Sequence, residues 1–393
     1  MPLGTGISLI ASFKASPTRS TPRPGKSCGC PGFPLLLAIS RKLFGESLLA
    51  ARLVLATVGA LGCLGVYQLG HRLGGHRTGL IAGWLAGVSP IFVGFSAIEL
   101  TETVFAVSLV FGLVPLSRGG IQAAPAADSE SSVPTGAATS PTLIAAALTG
   151  AMAGLWGGVG CYLRPSWLLF PPCLVLWLWL QKRDRDRLIV VICTGIVMIG
   201  SLVPWGMRNQ QYADGHFVLT TLWMGPSLYD GWNPNNTSGD SNMDFFDQEN
   251  LLSHMSEYEM DREYRRRAWA FAFENPDRVA VLAWRKTVRY WNPFPNAAQF
   301  KTSPALRLVS LGWYLVVFVP ALLGAWQLRR SLGVLAITAG PILYFAALHL
   351  VFVSSVRYRL PGEYPLLVLT AVGIESLVQR WRPRPRIATG LPE

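Results

Sequence analysis

The stretch Leu188–Gly206, LIVVICTGIVMIGSLVPWG, sets the class of fold for this chain. It runs for 19 residues without a charged side chain. An α-helix of about 20 residues spans the ~30 Å hydrocarbon core of a bilayer. Lipid offers no partner for backbone N–H and C=O groups, so a segment that crosses it must satisfy them within a helix or a closed barrel. The stretch therefore predicts a transmembrane helix.

Apolar stretches of similar length recur along the chain. We place them at 48–70, 78–95, 98–116, 142–161, 165–180, 188–206, 306–326, 331–353 and 361–379. Only 14% of all residues are charged, whereas soluble domains carry about 25%. The sequence predicts an all-α polytopic membrane protein with about nine transmembrane helices and one large extracytoplasmic loop.

The net charge of +12 is explained by topology rather than by nucleic-acid binding. Lys and Arg collect in cytoplasmic loops of membrane proteins. Four basic segments are His71–Arg77, Gln181–Arg187, Arg329–Arg330 and Arg380–Arg386. The nine predicted spans put an even number between each successive pair, so all four can lie inside. We expect an integral, multi-pass protein of a cell membrane, bacterial in type, with no nucleic-acid partner.

The same map divides the chain into regions of different composition. We predict an anomalous or disordered N-terminus (1–30), an N-terminal transmembrane bundle (31–206) with an inner linker (117–141), an extracytoplasmic loop (207–305), C-terminal transmembrane helices (306–380) and a cytoplasmic tail (381–393). The loop 207–305 holds 12 of the 22 acidic residues. It is therefore expected outside the bilayer.

Two segments of the extracytoplasmic loop have helical patterns, Glu249–Ala268 and Pro276–Tyr290. Amphipathic helices with aromatic and basic residues commonly lie along a membrane surface. We expect an interfacial belt formed by Trp269, Phe271, Phe273, Trp284, Tyr290 and Trp291.

The candidate metal ligands do not form a recognisable site. The acidic run Asp240, Asp244, Asp247 and Glu249 lacks the spacing of a known calcium loop and is more typical of a solvated loop. Cys28 and Cys30 form a C-x-C without a second pair. His216, His254 and His349 are isolated from one another in the sequence. We expect no metal and no cofactor.

Several short strings resemble one enzyme family. Pro31–Leu37 (PGFPLLL), Leu43–Gly45 (LFG) and Ala50–Leu53 (AARL) are similar to a "PGYPLL…LFG…AARL" stretch. Later strings, in the expected order, are Tyr67–Gly70, Gly79–Ala82, Ser96 with Glu102, Leu163–Pro165, Pro204–Trp205, Arg208–Asn209, Glu274–Pro276 with Lys286, and Arg357–Pro361. They resemble the polyprenyl- or dolichyl-phosphate-sugar-dependent GT-C glycosyltransferases, related to glycosyltransferase family 39, protein O-mannosyltransferases and aminoarabinose transferases.

The resemblance implies transfer of a sugar from a polyprenyl-phosphate donor to a lipid, glycan or protein acceptor at the outer membrane face. That chemistry needs a base for the acceptor and cations for the departing phosphate. The expected phosphate ligands are Arg357, Arg359, Arg164, Arg208 and Lys286, with Tyr358 beside them. The alternative is that some of these cations only reach toward the membrane surface.

The candidate catalytic acids are Glu102 and Glu99, near the outer start of a span. A structural Glu–Arg pair that holds helices together explains them equally well. The family places its usual catalytic acid upstream of the string at Pro31, where this chain has no Asp or Glu before Glu46. We therefore expect a truncated or inactive member as one alternative. A lipid or polysaccharide transporter or flippase is another, disfavoured because the sequence has no internal repeat.

Overall fold

A computed structural model describes residues 29–96, 98, 100–117, 143–294 and 303–381. Within these ranges the regular structure is entirely helical. The predicted N-terminal region 1–30, the linker 117–141 and the tail 381–393 lie outside the described residues, apart from one or two residues at their edges.

The chain up to residue 210 contributes helices that run back and forth across the bundle. They are α1 (Gly32–Phe44), α2 (Leu48–Gly74), α3 (His76–Val88), α4 (Pro90–Ser96), α5 (Thr101–Leu116), α6 (Leu143–Leu163), α7 (Phe170–Lys182) and α8 (Arg185–Gln210). A single 3-10 turn, Pro165–Trp167, joins α6 to α7.

The rest of the chain first forms the loop region and then returns to the bundle. Its helices are α9 (Met224–Gly231), α10 (Asp244–Glu249), α11 (Glu257–Glu274), α12 (Pro276–Tyr290), α13 (Pro304–Gln327), α14 (Leu332–Thr338), α15 (Gly340–Val351) and α16 (Val356–Trp381). A 3-10 turn, Leu251–Ser253, precedes α11.

Fewer helices than predicted are long and apolar enough to cross a membrane. Among the described residues they are α2, α6, α8 and α13, or six spans if the bent pairs α3–α4 and α14–α15 each cross once. The pairs bend by 55° and 58°. Prolines 90 and 341 lie at these breaks and lack the N–H that would continue the preceding helix. The all-α polytopic class is confirmed, but the number nine is not.

Helix α16 lies at the centre of the bundle. Its residues 360–371 are all buried, and it packs against α13, α15, α2, α3 and α5. A helix that is enclosed on all sides has no lipid-facing stripe. This helix begins at Val356 and continues through Pro361 and Pro365, so it starts five residues before the predicted last span, 361–379.

Small residues let several helices approach closely. A Cβ on Gly154 of α6 would lie 2.6 Å from the Thr194 carbonyl oxygen of α8, which is too close for any side chain. Thr194 donates a hydrogen bond to the Gly150 carbonyl at 3.2 Å across the same contact. Close backbone contact of this kind is typical of helix pairs in membranes, where lipid gives no hydrophobic drive to associate.

Residues 207–294 form a packed cap on one end of the bundle. Leu228, Trp232, Ala268, Phe271 and Leu282 form its core. Its link to the bundle includes a backbone hydrogen bond of 3.0 Å from Ser354 N to the Gly239 carbonyl. Of the predicted belt, Phe271 and Tyr290 are buried, whereas Trp269, Phe273 and Trp284 are exposed.

The helices of this cap follow local capping signals. The predicted helix Glu249–Ala268 is replaced by α11, Glu257–Glu274, because Ser256 and Glu259 form a reciprocal capping box at its start. Asn250 adopts a left-handed conformation and ends α10. The helix Pro276–Tyr290 has the bounds that the sequence predicted.

The basic connection between α2 and α3 lies at the opposite end of the bundle. The Thr78 hydroxyl donates to a Glu375 carboxylate oxygen at 3.0 Å, and Arg72 donates to the Val114 carbonyl at 2.5 Å. The connection between α2 and α3 therefore lies beside the C-terminal part of α16, as expected if both are on the same side of the membrane.

Candidate functional site

Three helix ends meet beneath the cap and bring Glu102, Arg164 and Arg357 together. Glu102 is in the first turn of α5, Arg164 follows α6, and Arg357 is in the first turn of α16. Glu102 Oε1 lies 2.7 Å from Arg164 Nη2 and 3.4 Å from Arg357 Nε. Two guanidinium groups thus share one carboxylate oxygen.

The start of α1 helps to position Arg164. A Cβ on Gly32 would lie 2.8 Å from the Tyr162 carbonyl oxygen, so the chain can approach here only with glycine. This contact places the PGFP string directly against the Leu163–Pro165 string. Two separate parts of the family resemblance therefore meet at the edge of the arginine cluster.

Aromatic rings form one wall of the cluster. The guanidinium carbons of Arg164 and Arg357 lie 5.2 Å and 4.9 Å from the centre of the Tyr358 ring. Arg357 Nη2 donates to the Tyr358 hydroxyl at 3.0 Å. The other ring contact of Tyr358 is His349, stacked with a centroid distance of 4.6 Å. Guanidinium groups commonly pack on aromatic faces in this way.

The three charged groups differ in their access to solvent. The side chains of Glu102 and Arg164 are 3% and 15% exposed, whereas that of Arg357 is 42% exposed. Two positive charges face one negative charge, which leaves the cluster with a net charge of about +1. Arg357 is therefore the group best placed to meet an incoming anion.

Arg359 lies in a different environment. Its side chain is 1% exposed, and its Nε donates to Glu363 Oε1 at 2.5 Å. Its Nη1 donates to the carbonyls of Tyr290 and Asn292 at 2.8 and 3.1 Å. These bonds tie α16 to the end of α12. The structure does not bring Arg359 into the cluster, although the sequence grouped it with Arg357.

Lys286 is fully buried between the cap and the bundle. Its ammonium group donates to the carbonyl oxygens of Gly231 at 3.0 Å and Val351 at 2.6 Å. Burial lowers the pKa of Lys286 to about 7, and nearby Asp230 partly opposes the shift. The bonds join α9, α12 and the end of α15, which is a structural arrangement rather than an open phosphate site.

The remaining predicted residues are Arg208 and Glu99. Arg208 lies at the end of α8, over the rings of Trp205 and Tyr212 at 4.3 and 5.0 Å. Its ring partners differ from those of Arg357. Glu99 lies outside the described residues, so Glu102 is the one candidate acid whose surroundings the structure gives.

The structure also gives the contacts of Arg289 and His349. Arg289 Nη2 lies 2.7 Å from Asp240 Oδ2, and Arg289 Nε donates to the Ser354 carbonyl at 3.2 Å. His349, which looked isolated, stacks on Tyr358. These contacts join residues far apart in sequence, so no local pattern indicated them. Within the described residues, no group of three or more His, Cys, Asp or Glu is arranged to hold a metal ion.

The comparisons with known proteins agree with this architecture. Residues 24–120 match the family model of dolichyl-phosphate-mannose-protein mannosyltransferases. The fold resembles the archaeal oligosaccharyltransferase AglB from Archaeoglobus fulgidus, solved with an inhibitory peptide and a dolichol-phosphate. The match has 14% identity, a TM-score of 0.51, and covers 90% of this chain and 42% of that chain.

Other solved structures are similar to a lesser degree. The apo form of the Archaeoglobus fulgidus oligosaccharyltransferase gives 13% identity and a TM-score of 0.50, covering 90% of this chain and 43% of that one. ArnT from Cupriavidus metallidurans in the apo state gives 14% identity and a TM-score of 0.39, covering 89% and 67%. No curated protein sequence is significantly similar to the chain.

The chain therefore spans less than half the length of the archaeal enzyme that it resembles in fold. The family match covers its N-terminal quarter, and the fold likeness covers most of the described residues. The N-terminal quarter thus resembles dolichyl-phosphate-mannose-protein mannosyltransferases in sequence, and the chain resembles the archaeal oligosaccharyltransferase in fold.

Proposed function

We propose that this GT-C-like protein is a membrane glycosyltransferase that moves a sugar from a polyprenyl-phosphate donor to an acceptor hydroxyl or amine. The observation that carries the proposal is the cluster of Glu102, Arg164 and Arg357, in which the Arg357 side chain is 42% exposed beneath the cap. The family match and the dolichol-phosphate bound by the archaeal enzyme support a lipid-linked donor. They give no support to a transporter or flippase.

The role of Arg357 and Arg164 is to receive the departing phosphate. In the reaction, the acceptor oxygen or nitrogen bonds to the anomeric carbon of the sugar, and the bond from that carbon to the phosphate oxygen breaks. The phosphate keeps the electron pair and gains negative charge. Arginine can bind two phosphate oxygens in a bidentate geometry, and it stays protonated. Charge-assisted bonds that strengthen as this charge develops lower the barrier.

Glu102 has a positioning role in this proposal. Its Oε1 holds both arginines, while Oε2 lies 3.4 Å from the Thr101 hydroxyl. The carboxylate therefore fixes the two guanidinium groups at the mouth of the site. The proton of the acceptor needs a base, and Oε2 is the described carboxylate oxygen in the cluster that no arginine holds. Glu99 remains the second candidate for that base.

The active face is proposed to be the capped end of the bundle, outside the membrane. The basic connections at the other end support this direction because positive loops stay in the cytoplasm. Acceptors in this class are lipids, glycans or proteins. The geometry under the cap favours none of the three.

The test is a transfer assay in proteoliposomes with a polyprenyl-phosphate donor carrying a labelled sugar. Arg357→Ala should lower transfer about 10- to 100-fold, since a hydrogen bond to a charged group contributes about 1.5–3 kcal/mol. Arg266→Ala is the matched control, because Arg266 is an exposed arginine on α11. It should leave transfer unchanged.

Two outcomes would count against the proposal. Equal transfer by the wild type and Arg357→Ala would remove the cluster from the phosphate site. Binding of the lipid phosphate without transfer, under conditions in which an active relative transfers, would favour a non-catalytic lipid-phosphate binder.

A further inference from the structure

A lateral groove lies on the side of the bundle, apart from the arginine cluster. It has a volume of about 410 Å³ and is lined by α2, the α3–α4 bend and α16. Its walls include Ala56, Ala60, Gly87, Phe92 and Tyr364. Small side chains leave the space open, and the polar groups are few. One of them, the Ser96 hydroxyl, already donates to the Phe92 carbonyl at 2.9 Å.

The depth of the groove can be read from α2, one of the four helices of membrane-spanning length. Gly59 faces Ser96 and Thr103, so it is level with the first turn of α5. Arg52 is seven residues closer to the start of α2, about 10 Å further along the axis at 1.5 Å per residue. The groove therefore runs from the hydrocarbon region toward the membrane surface on the capped side.

Arg52 lies at the surface end of the groove and faces outward. It lines the groove, and the neighbouring Leu49 and Leu53 are 67% and 58% exposed. Exposed leucines on a membrane-spanning helix mark a side that meets lipid. No described carboxylate lies within 4.0 Å of the Arg52 guanidinium. A cation in this position reaches for the lipid phosphates at the interface.

We propose that this groove binds one anionic phospholipid, with an acyl chain between α2 and α4 and the phosphate on Arg52. The apolar walls fit a hydrocarbon chain. A single cation at the mouth matches the single negative charge of a phosphodiester headgroup. The site is distinct from the arginine cluster, which is formed by the ends of α5, α6 and α16. It does not depend on the proposed transferase activity.

The test is native mass spectrometry of the full chain released from detergent, titrated with phosphatidylglycerol or phosphatidylcholine. The wild type should retain one phosphatidylglycerol in preference to phosphatidylcholine. Arg52→Gln should reduce the retained phosphatidylglycerol about tenfold and remove the preference, as expected for losing a charge-assisted contact. Arg41→Gln is the control, because Arg41 is exposed on α1 and does not line the groove.

A second variant distinguishes binding of the acyl chain in the groove from binding of the headgroup by Arg52. Ala60→Phe fills the groove from an exposed position, so it should fold normally and lose the bound lipid while Arg52 remains. The proposal is overturned if Arg52→Gln and Ala60→Phe retain lipid like the wild type, or if Arg41→Gln loses as much as Arg52→Gln. It is also overturned if polyprenyl phosphate displaces phosphatidylglycerol at equal concentration, since the groove would then belong to the donor.

Discussion

Arg357 and Arg359 are two residues apart and have opposite surroundings. Arg357 is 42% exposed and shares Glu102 with Arg164, whereas Arg359 is 1% exposed and is sealed by Glu363 and two backbone carbonyls. An α-helix turns about 100° per residue, so positions two apart point about 200° from each other. The RYR string therefore supplies one exposed arginine, which we propose faces the ligand, and one buried arginine that holds the fold.

The difference shows why residue type alone does not assign a phosphate ligand. The N–H groups of a buried arginine already donate hydrogen bonds to acceptors inside the protein. Removing the arginine leaves those acceptors unsatisfied. An exposed arginine that shares a carboxylate with a second arginine can exchange that carboxylate for a substrate anion. Burial and the number of internal acceptors separate the two roles.

The largest expected effect is from Arg359→Ala. Breaking a buried ion pair by removing one partner costs about 3–5 kcal/mol. Thermal unfolding in detergent should show a large loss of stability, or the protein should fail to fold. The double variant Arg359→Met with Glu363→Leu removes both charges and should recover part of the loss. If Arg359→Ala unfolds at the same temperature as the wild type, Arg359 does not have the structural role that distinguishes it from Arg357.

The next effect is from Arg357→Ala, and it should appear in ligand binding rather than in stability. The affinity for a polyprenyl phosphate in a binding titration should fall about 10- to 100-fold. The unfolding temperature should stay close to that of the wild type, because the side chain is 42% exposed. If stability falls as far as in Arg359→Ala while affinity is kept, the two roles have been assigned the wrong way round.

Lys286→Met tests whether Lys286, a second buried cation, has a structural role like that of Arg359. The change leaves the Gly231 and Val351 carbonyls without their donor and should cost about 1–3 kcal/mol. It should not weaken binding of lipid phosphate. A loss of affinity at unchanged stability would return Lys286 to the phosphate site.

The pH dependence of this variant sharpens the test. The pKa of Lys286 is about 7 in the folded protein and about 10.4 in the unfolded chain. Between these values the unfolded chain binds more protons, so the free energy of unfolding of the wild type rises with pH relative to Lys286→Met. Unfolding temperatures at pH 7 and pH 10 should show the gap widening at the higher pH. A constant gap would mean that the folded pKa is not lowered.

The smallest effect is expected from Asp240→Asn. The pair that Asp240 forms with Arg289 spans 2.7 Å, but the Asp240 side chain is 45% exposed. Exposed pairs contribute about 0–1 kcal/mol. The unfolding temperature of the variant should change little. The part of its salt dependence that comes from the Asp240–Arg289 pair should be lost. A loss of stability comparable to Lys286→Met would show that the cap depends on this pair.

The sequence predicted the membrane class and one helix of the cap well, for physical reasons. The apolar period and the Pro276 start define α12 locally. Topology put Glu102, Arg164 and Arg357 near turns on one side, but it did not distinguish them from Arg208, Lys286 and Arg359. The number of spans was harder to predict from hydropathy. Pro90 and Pro341 interrupt helices without making the surrounding stretches less apolar.

The roles of Lys286 and Arg359 could not be predicted from their pattern. A basic residue on an amphipathic helix looks the same whether its tip meets lipid phosphate or backbone carbonyls. The apolar stripe of α12 similarly divides into Leu282 and Tyr290, which are buried, and Trp284, which is 68% exposed. Only the packing of residues 225–240 against α12 and the end of α15 determines which of these side chains are buried.

The most direct measurement is a cryo-EM map of the protein in a lipid nanodisc with a polyprenyl phosphate. We expect density for the phosphate within hydrogen-bonding distance of Arg357 and Arg164, under the cap, with Arg359 still paired to Glu363. Phosphate density at Arg208 or at the membrane face of α12, with the Arg357 guanidinium still on Glu102, would contradict it.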